Sequence, residues 1–511
     1  MSSHFKPDVV VGNEHIGLSR LIDVADSRAQ VVISGSDEFV SRMEASRSVL
    51  HKAIREGTPV YGVTTGYGAS CGNRIGADDI EALGNNLITY HGCGTGEPLG
   101  IKETRAAMMC RIVSLSRGLS GVTINLLKQI AAFLNAGITP VIPSLGSVGA
   151  SGDLTPLSYL AATLAGKREV VYKGKVMESA RAITEAGLKP YIFEPKEPLG
   201  ILNGTSIMTG IASVVLYRSK KILDAATAAT ALTVHALKGH ADHFHKVITD
   251  SKEHPGQISI GKKLRALLSS TGEHGEISYI EHLQDPYSIR CVPQILGVVD
   301  DTLTWVEKWV VTEINSSNDN PLFDPETGAV LMGGNFYGGH IAFAMDSLKS
   351  ALAQVADLLD RQLALLVDTR FNRGLPSNLV KVKDQQRFKH HGFKGMQITA
   401  SALTAEALKN TMPVSSFSRS TESHNQDKVS LGTIAARDAL RQCELVSSLV
   451  AVHLMASVQS CEIRGGLESR PEIKKIVSSV RNIVADASED REMGEDIGIL
   501  ASALYEMVWD E

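Results

Sequence analysis

The chain has 511 residues, 43% of them hydrophobic and 21% charged, and this composition excludes a disordered or collagen-like protein. Its 51 lysines and arginines stand against 56 aspartates and glutamates, and the resulting formal net charge of −5 argues against a general nucleic-acid binder. At roughly 150 residues per domain, the length predicts about two to four domains.

Helical periodicity dominates the chain. Ser36 is a typical N-cap for the first clear helix, which Gly57 and Pro59 end. Further helices are predicted, in chain order, over 79–90, 103–117, 122–135, 207–238, 295–313, 340–369, 396–411 and 430–461. The helix over 207–238 contains no proline and is followed by Gly239, a typical C′ residue. Strand patterns are few and short, at Gln30–Ile33 and Arg168–Tyr172.

The length of these helices indicates the fold class. Helices of about thirty residues exceed the common range, and no heptad repeat is sustained along them. We therefore expect a mainly α protein built as a large bundle of long helices. A smaller N-terminal region over 1–200 is predicted to lead, without a flexible linker, into a long-helix domain over 201–511.

Cysteine usage and the absence of targeting patterns predict the compartment. The six cysteines are scattered and form no Cys-x-x-Cys pair, as is usual in a reducing environment. The N-terminus shows no signal-peptide pattern, and no stretch of about 18 uncharged apolar residues predicts a transmembrane helix. We expect a cytoplasmic protein with neither a membrane nor a nucleic-acid partner.

Glycine is concentrated in three loops, over 61–68, 92–96 and 144–156. The second loop misses a dinucleotide-binding fingerprint, because Glu97 stands where the third glycine belongs. The sequence also contains no P-loop and no Gly-x-Ser-x-Gly nucleophile elbow. By composition alone, loops of this kind are plain turns about as often as functional sites.

The third loop contains Ala150, Ser151 and Gly152 between further glycines and Asp153. Small residues here allow one backbone amide to approach the carbonyl group two residues earlier. Pro156 is predicted to be the first residue of the following helix, a position that proline favours. Taken alone, the loop is typical of an ordinary helix entry.

Ten motifs spread over residues 61 to 430 change that interpretation. They are, in one-letter code, YGVTTGYG, GSVGASGDLTPLSYLA, LNGTS, HPGQ, QDPYSIRCVPQ, EINSSNDNPLFD, GGNFYGG, GLPSNL, GFKGMQI and SHNQDKVS. In kind and in order they resemble the MIO-dependent family of histidine and aromatic amino-acid ammonia-lyases and aminomutases, and most of all the bacterial tyrosine ammonia-lyases.

This resemblance implies a fumarase/aspartase-like helical fold and a homotetramer whose loops share active sites. It also implies a prosthetic group, the methylidene-imidazolone MIO, that forms autocatalytically from Ala150, Ser151 and Gly152. In such a reaction the Gly152 nitrogen closes on the Ala150 carbonyl carbon and Ser151 loses water. Loss of ammonia from an aromatic alanine needs an electrophile that no ordinary side chain supplies. No metal or nucleotide cofactor is expected.

The resemblance assigns the proton-abstracting base to Tyr61. A phenol with an ordinary pKa near 10 is a weak base at neutral pH unless its anion is stabilised, for example by the electrophile or by helix N-termini. The glycine-rich loop around Tyr61 is typical of a mobile lid. Without the motif, Tyr61 would be interpreted as a buried loop anchor.

The remaining site residues also follow from matching motifs. Arg290 corresponds to the residue that clamps the substrate carboxylate, for which a planar guanidinium is well suited. Tyr287 corresponds to a second site tyrosine and Gln284 to a hydrogen-bonding partner. Asn203 corresponds to an asparagine held near the prosthetic group, and Phe336 to an aromatic residue packed against it.

Four histidines after the long helix suggest a metal site at first sight: His235, His240, His243 and His245. Their spacing matches no familiar zinc pattern, and Gly239 interrupts the helix between the first two. Solvated or locally hydrogen-bonded histidines at a helix end are the favoured interpretation.

Three positions bear on the substrate. By resemblance, Tyr90 and His91 occupy the selectivity pair at the ring end of the pocket, where His91 could meet a phenol hydroxyl or an imidazole nitrogen. Gln426 stands where histidine lyases usually hold a glutamate. We therefore expect L-tyrosine, converted to p-coumarate and ammonia, with L-phenylalanine and L-histidine as weaker alternatives. Tyr90 departs from the usual residues, which leaves an unfamiliar preference open.

Two rival classes share these residues. A tyrosine or phenylalanine 2,3-aminomutase would differ only in retaining ammonia long enough to re-add it. An inactive helical scaffold would fit poorly with an intact set of site residues, namely Ala150, Ser151, Gly152, Tyr61, Arg290 and Tyr287.

Overall fold

The structure, a computed structural model, describes residues 7–268 and 283–509 and is mainly α-helical, as predicted. Its α-helices are α1 (Leu18–Ala25), α2 (Asp37–Arg55), α3 (Ile80–Tyr90), α4 (Ile101–Leu115), α5 (Ile124–Ala136), α6 (Leu154–Leu164), α7 (Ser179–Glu185), α8 (Glu197–Leu202), α9 (Ser206–Ala236), α10 (Lys246–Asp250), α11 (Pro255–Leu267), α12 (Tyr287–Arg290), α13 (Val292–Ile314), α14 (Gly339–Val367), α15 (Lys394–Lys409), α16 (Gly432–Arg464), α17 (Pro471–Arg481) and α18 (Gly494–Ala503). Its strands are β1 (Asp8–Val11), β2 (Gln30–Ile33), β3 (Thr95–Pro98), β4 (Thr139–Pro140), β5 (Pro143–Leu145), β6 (Glu169–Tyr172), β7 (Lys175–Glu178), β8 (Leu322–Phe323) and β9 (Val330–Leu331). Each predicted helix and strand corresponds to one of these elements.

The helix ends test the sequence signals individually. Ser36 caps α2 as predicted, because its hydroxyl accepts a hydrogen bond from the Phe39 backbone N–H at 3.4 Å. The prediction for Pro156 was wrong, since α6 begins two residues earlier, at Leu154. The prediction for Gly239 was also wrong by one position. Lys238 adopts the left-handed conformation (φ 50°) that ends α9, and Gly239 follows it.

The chain divides into two compact units. Unit 1 comprises Met1–Val215, Glu307–Asp346 and Pro413–Arg437, and unit 2 comprises Leu216–Val306, Ser347–Met412 and Asp438–Glu511. A division into 1–200 and 201–511 stays a prediction.

Unit 1 combines short helices with small sheets. Strand β1 pairs in parallel with β2, and β4, β6 and β7 form an antiparallel sheet. Helices α3, α6 and α8 pack against one another. An apolar cluster of Val49, Leu50, Ala53, Val60, Val63 and Phe323 is buried. Because Val60 and Val63 flank Tyr61 in sequence, this cluster anchors both sides of the first glycine-rich loop.

Unit 2 is built from long helices with polar contacts inside their apolar packing. The side chain of Gln362 on α14 donates to the Thr230 hydroxyl on α9 at 3.1 Å. The hydroxyls of Thr233 and Ser457, on α9 and α16, lie 3.2 Å apart. All four side chains are buried, so these hydrogen bonds satisfy groups that would otherwise be costly to bury.

One helix in the described ranges, α16, is long and apolar enough to cross a membrane by length and composition. However, 83% of its most apolar window is buried inside the protein, as in the core helix of a globular protein. The six cysteines carry no disulfide bond.

Candidate active site

The loop that contains Ala150, Ser151 and Gly152 is held by backbone pairing with Gly204. The Gly204 N–H donates to the Ser151 carbonyl at 3.2 Å, and the Asp153 N–H donates to the Gly204 carbonyl at 2.8 Å. A Cβ atom at position 152 would overlap the Gly204 carbonyl group, so only glycine fits there. Ser151 itself adopts a left-handed conformation (φ 49°), a strained state of the kind that often marks functional sites.

Asp153 fixes the end of this loop from a fully buried position. Its carboxylate accepts hydrogen bonds from the Met208 N–H in the first turn of α9, at 2.9 Å, and from the hydroxyls of Ser147 and Thr433. Burial raises the pKa of Asp153 to about 6, against the opposing effect of these hydrogen bonds. The carboxylate therefore joins the loop to the N-terminus of a long helix.

A cavity of about 380 Å³ opens beside this loop, and its wall belongs entirely to unit 1. The sequence-predicted residues that line it are Tyr61, Ala150, Ser151, Asn203, Phe336 and Gln426. The Gln426 amide donates to the Ser151 hydroxyl at 3.0 Å. The structure thus brings together six predicted residues from five separate stretches of the chain.

Asn203 presents an unused acceptor at this cavity. Its side-chain amide donates to the Asn320 carbonyl at 2.9 Å. Its Oδ1 atom is buried and has no hydrogen-bond partner among the described residues. A buried amide oxygen without a partner is costly, so this atom is a candidate for contact with a bound group.

Tyr61 lies in a loop that lines the cavity and is held by two contacts. The Gly68 N–H donates to the Tyr61 hydroxyl at 2.8 Å. The next amide, that of Ala69, donates to the carboxylate of Glu422 at 3.0 Å, which ties the loop to the turn before Gln426. The ring of Tyr67 meets that of Tyr61 edge-on, with centroids 6.3 Å apart.

The surroundings of Tyr61 within the chain disfavour its phenolate. Burial raises the pKa of Tyr61, the Gly68 hydrogen bond lowers it, and the nearby negative charge of Glu422 raises it further. A raised pKa means that the hydroxyl is protonated at neutral pH. Action as a base would therefore require additional positive charge or hydrogen-bond donors at the cavity.

Tyr90 and His91 lie at the C-terminal end of α3, outside the described wall of the cavity. Their rings are 4.5 Å apart. Burial, with contributions from Tyr61 and Glu422, raises the pKa of Tyr90 to about 12. Burial lowers the pKa of His91 to about 4, so its imidazole is neutral at neutral pH and offers one donor and one acceptor.

Three of the predicted site residues belong to unit 2, namely Gln284, Tyr287 and Arg290, whereas the others belong to unit 1. Gln284 and Tyr287 are exposed. The Arg290 guanidinium lies over the Tyr287 ring, 4.6 Å from its centroid, and donates to the Gln284 side chain. Its Nε atom is buried and has no hydrogen-bond partner among the described residues.

Arg111 is a residue near the cavity that the sequence reasoning missed. It is fully buried, and its guanidinium donates to the Asn203 carbonyl at 3.1 Å and to the Asn318 side chain at 3.2 Å. These bonds lie behind the backbone of Asn203 and Gly204 that pairs with the Ser151 loop. An arginine between Cys110 and Ile112, inside an apolar helical stretch, was the available signal.

The rings of three of these four histidines form hydrogen bonds with backbone groups, one of them local and two with distant residues. The ring of His235 contacts the Gly465 carbonyl at 3.1 Å, His243 accepts from the Asp285 N–H at 3.0 Å, and His245 accepts from the Val247 N–H at 3.1 Å. Within 7–268 and 283–509, no group of three or more histidine, cysteine or acidic side chains is placed to hold a metal ion.

The surroundings of the Ala150–Gly152 loop fit an internally formed prosthetic group. Position 152 accepts only glycine, Ser151 is held by a neutral amide, and the unpaired Asn203 oxygen borders the same cavity. These features would hold a small polar ring without a metal or a charged counterpart.

Comparison with known proteins identifies one family along almost the whole chain. The family described as "Aromatic amino acid lyase" matches residues 16–482. A histidine ammonia-lyase of Alkaliphilus oremlandii is 35% identical, over 97% of this chain and 96% of that protein. A tyrosine ammonia-lyase of Cereibacter sphaeroides is also 35% identical, over 98% of both proteins.

A third relative has a different activity. The MIO-dependent tyrosine 2,3-aminomutase of Streptomyces globisporus is 36% identical, over 97% of this chain and 94% of that protein. The solved structure of the tyrosine aminomutase from this organism superimposes with a TM-score of 0.90 and covers 98% of this chain. The same match covers 97% of the chain in that structure, at 35% sequence identity. Because identity to histidine and tyrosine enzymes is nearly equal, it does not discriminate between substrates.

Proposed function

Because this chain belongs to the aromatic amino acid lyase family and is a carbon–nitrogen lyase, we propose that it converts L-tyrosine to trans-p-coumarate and ammonia, with L-phenylalanine as a second substrate. The observation that carries the proposal is the single cavity lined by Tyr61, Ala150, Ser151, Asn203 and Gln426. It joins a candidate base to a loop suited to form an electrophile.

The proposed prosthetic group is MIO, formed autocatalytically from Ala150, Ser151 and Gly152. Closure of the Gly152 nitrogen on the Ala150 carbonyl carbon expels one water molecule, and dehydration of Ser151 expels another. Once formed, the group supplies an electrophile that activates the substrate amine. Asn203 would hold it, since its side-chain oxygen is unpaired at the cavity. Gln426 binds the Ser151 hydroxyl that leaves as water, so its amide would then face the new group with a donor to offer.

Tyr61 is the proposed base for the β-proton of the substrate. Its hydroxyl already accepts the Gly68 N–H, a donor that favours the phenolate. The Ala69–Glu422 contact keeps the loop closed and so limits entry of water. After transfer, the proton resides on the Tyr61 oxygen.

The substrate carboxylate is proposed to bind Arg290, with Tyr287 and Gln284 beside it. Gln284 and Tyr287 are exposed on unit 2, and the half-buried Arg290 has its guanidinium over the Tyr287 ring and a buried Nε without a partner among the described residues. The family resemblance implies active sites shared between subunits, and we propose a cytoplasmic homotetramer in which neighbouring copies supply this segment.

His91 is the proposed reader of the substrate ring. Its neutral imidazole can hydrogen-bond a phenol hydroxyl without introducing a charge. Gln426 presents a neutral amide where a glutamate would suit an imidazole substrate, and this favours tyrosine or phenylalanine over histidine. Tyr90, the residue before His91, adds a hydroxyl group at the same end of α3.

Two alternatives have support of their own. Histidine ammonia-lyase activity, which would form urocanate, is supported by the 35% identity to the Alkaliphilus enzyme. Tyrosine or phenylalanine 2,3-aminomutase activity is supported by the similarity to the Streptomyces enzyme.

Separate incubations with L-tyrosine, L-phenylalanine and L-histidine discriminate between them. Chromatography would score p-coumarate, cinnamate, urocanate and the β-amino acids. The proposal expects p-coumarate as the main product and cinnamate as the second. Predominant urocanate or β-tyrosine would replace it with the corresponding alternative, and the absence of all these products would refute it.

A further inference from the structure

Asp285 is buried inside an otherwise exposed stretch of unit 2. Its neighbours Gln284 and Pro286 are exposed, whereas Asp285 is only 3% exposed. Its carboxylate accepts the His240 backbone N–H at 2.8 Å and pairs with the Arg373 guanidinium at 2.5 Å. Two distant parts of the chain therefore hold Asp285, which lies two positions before Tyr287.

His243 holds the backbone of the same residue. Its Nε2 atom accepts the Asp285 N–H at 3.0 Å and lies 3.5 Å from the Asp285 carboxylate. Burial opposes ionisation of Asp285, but the hydrogen bonds from its partners hold its pKa at about 2. The carboxylate is thus charged throughout the physiological range, and the ion pair with Arg373 persists.

Arg373 extends this anchor to the end of α9. The same guanidinium that binds Asp285 donates to the carbonyl groups of Leu237 and Lys238, at 3.0 and 2.6 Å. These bonds satisfy the carbonyls at the C-terminal end of the helix, where a positive charge is favourable. One side chain therefore links the helix end to the segment before α12.

A second anchor lies within α12. The fully buried side chain of Gln362 donates to the Ser288 carbonyl at 2.8 Å, and Ile289 is 1% exposed. Tyr287 lies between these two anchors in sequence and is 70% exposed. The guanidinium of Arg290, which follows the second anchor, lies over its ring. The backbone that bears Tyr287 and Arg290 is therefore held by contacts on its buried side.

We propose that Asp285, Arg373 and His243 are positioning residues that set the direction in which Arg290 meets the substrate carboxylate. The inference rests on the proposed function, in which Arg290 binds that group. A bidentate guanidinium–carboxylate contact is sensitive to angle, and displacement by about 1 Å weakens binding of a correctly oriented substrate up to about 100-fold. In this proposal His243 acts by holding the Asp285 backbone N–H and does not bind a metal ion.

The test is steady-state kinetics of the full-length enzyme with L-tyrosine. Asp285→Asn should raise KM about tenfold while kcat changes less than about threefold, because the residues proposed to perform the chemistry are untouched. His243→Leu, which removes the acceptor for the Asp285 N–H, should raise KM similarly. His243→Gln retains an acceptor and should restore KM to within about threefold of wild type.

A matched control separates positioning from stability. Glu462, also in unit 2, pairs with Lys381 at 2.6 Å and with Arg481 at 2.7 Å. Glu462→Gln should lower the melting temperature as Asp285→Asn does, yet leave KM unchanged. Circular dichroism of each variant verifies folding, and the His243 pair serves as the test if Asp285→Asn does not fold.

The outcomes distinguish this inference from the proposed function. Wild-type turnover with unchanged KM in folded Asp285→Asn and His243→Leu would overturn the positioning role alone. So would an equal rise of KM in Glu462→Gln. A wild-type enzyme that turns over none of the three amino acids would overturn the proposed function, and the positioning role with it.

Discussion

Two segments that the resemblance assigns to one reaction are built in opposite ways. The Ser151 loop, residues 147–153, pairs its backbone with Gly204, and both Gly152 and Asp153 are buried. The clamp segment, residues 284–290, exposes Tyr287 and secures itself through Asp285 on its inner side. The first is held by backbone hydrogen bonds to Gly204 and Leu431, and the second is held by side chains on its buried side.

The difference corresponds to what each segment is proposed to do. Forming a ring from the backbone requires one amide to be held against one carbonyl group, so every neighbour of the loop has to be fixed. Binding a carboxylate requires an accessible guanidinium on a steady support. An exposed clamp is also suited to completing the site of a neighbouring copy.

Removing the serine hydroxyl is the strongest way to break this contrast. Ser151→Ala should lower turnover of L-tyrosine by about four orders of magnitude or more, because no electrophile forms. The ultraviolet absorbance of the prosthetic group should disappear, while circular dichroism stays that of the wild type. Ser144→Ala in β5, just before this loop, should retain both activity and absorbance. Substantial turnover in Ser151→Ala would exclude the MIO assignment.

Tyr61→Phe tests whether the lid loop supplies the base. It should reduce kcat by about two to four orders of magnitude and leave substrate binding within about threefold. Tyr67→Phe, in the adjacent ring, should change kcat less than about threefold. A Tyr61→Phe enzyme with near-normal kcat would assign the proton transfer elsewhere.

The raised pKa of Tyr61 also predicts a pH dependence. A base whose pKa is raised is mostly protonated at neutral pH, so its active fraction rises by about tenfold per pH unit below that pKa. The value of kcat/KM should therefore increase from pH 7 toward alkaline pH, and the residual activity of Tyr61→Phe should lack this limb. A wild-type profile that falls over this range would contradict the assignment.

Arg290→Lys tests the clamp segment directly. Lysine keeps the charge but loses the planar fork and its contact with the Tyr287 ring, so KM should rise about 10- to 100-fold. The conservative exchange Arg361→Lys, at an exposed arginine of unit 2, should have no effect. Equal KM values for the two variants would remove Arg290 from the site.

His91→Phe should produce a smaller effect, confined to substrate choice. Loss of the neutral imidazole should lower the ratio of kcat/KM for L-tyrosine to that for L-phenylalanine by about 10- to 100-fold. Competition between the two amino acids in one reaction measures this ratio directly. An unchanged ratio would mean that another residue reads the ring.

The sequence predicted the elements that depend on local pattern. Helical periodicity located α9, α14 and α16, because apolar spacing persists over many turns. The roles predicted for Pro156 and Gly239 at helix ends were wrong by two positions and one position, because helix ends depend on backbone geometry that the residue type only biases. The resemblance found six of the cavity-lining residues through their motifs.

The supports of the site were not predictable in the same way. Arg111 binds the Asn203 carbonyl across 92 positions of sequence, and Asp285 binds Arg373 across 88. Such contacts carry no periodicity and no local motif, so only the folded chain reveals them. His243 shows the consequence, since the sequence predicted a solvated or locally hydrogen-bonded ring, whereas the ring holds the backbone amide of Asp285, 42 positions away.

The most direct test of the account is the intact mass of the purified wild-type chain, followed by peptide mapping. The account predicts a mass lower than that of the unmodified chain by two water molecules, with the whole deficit in the peptide that contains Ala150, Ser151 and Gly152. Ser151→Ala should not show this complete deficit. A wild-type chain at the full mass of its sequence would contradict the claim that unit 1 makes an electrophile from its own backbone.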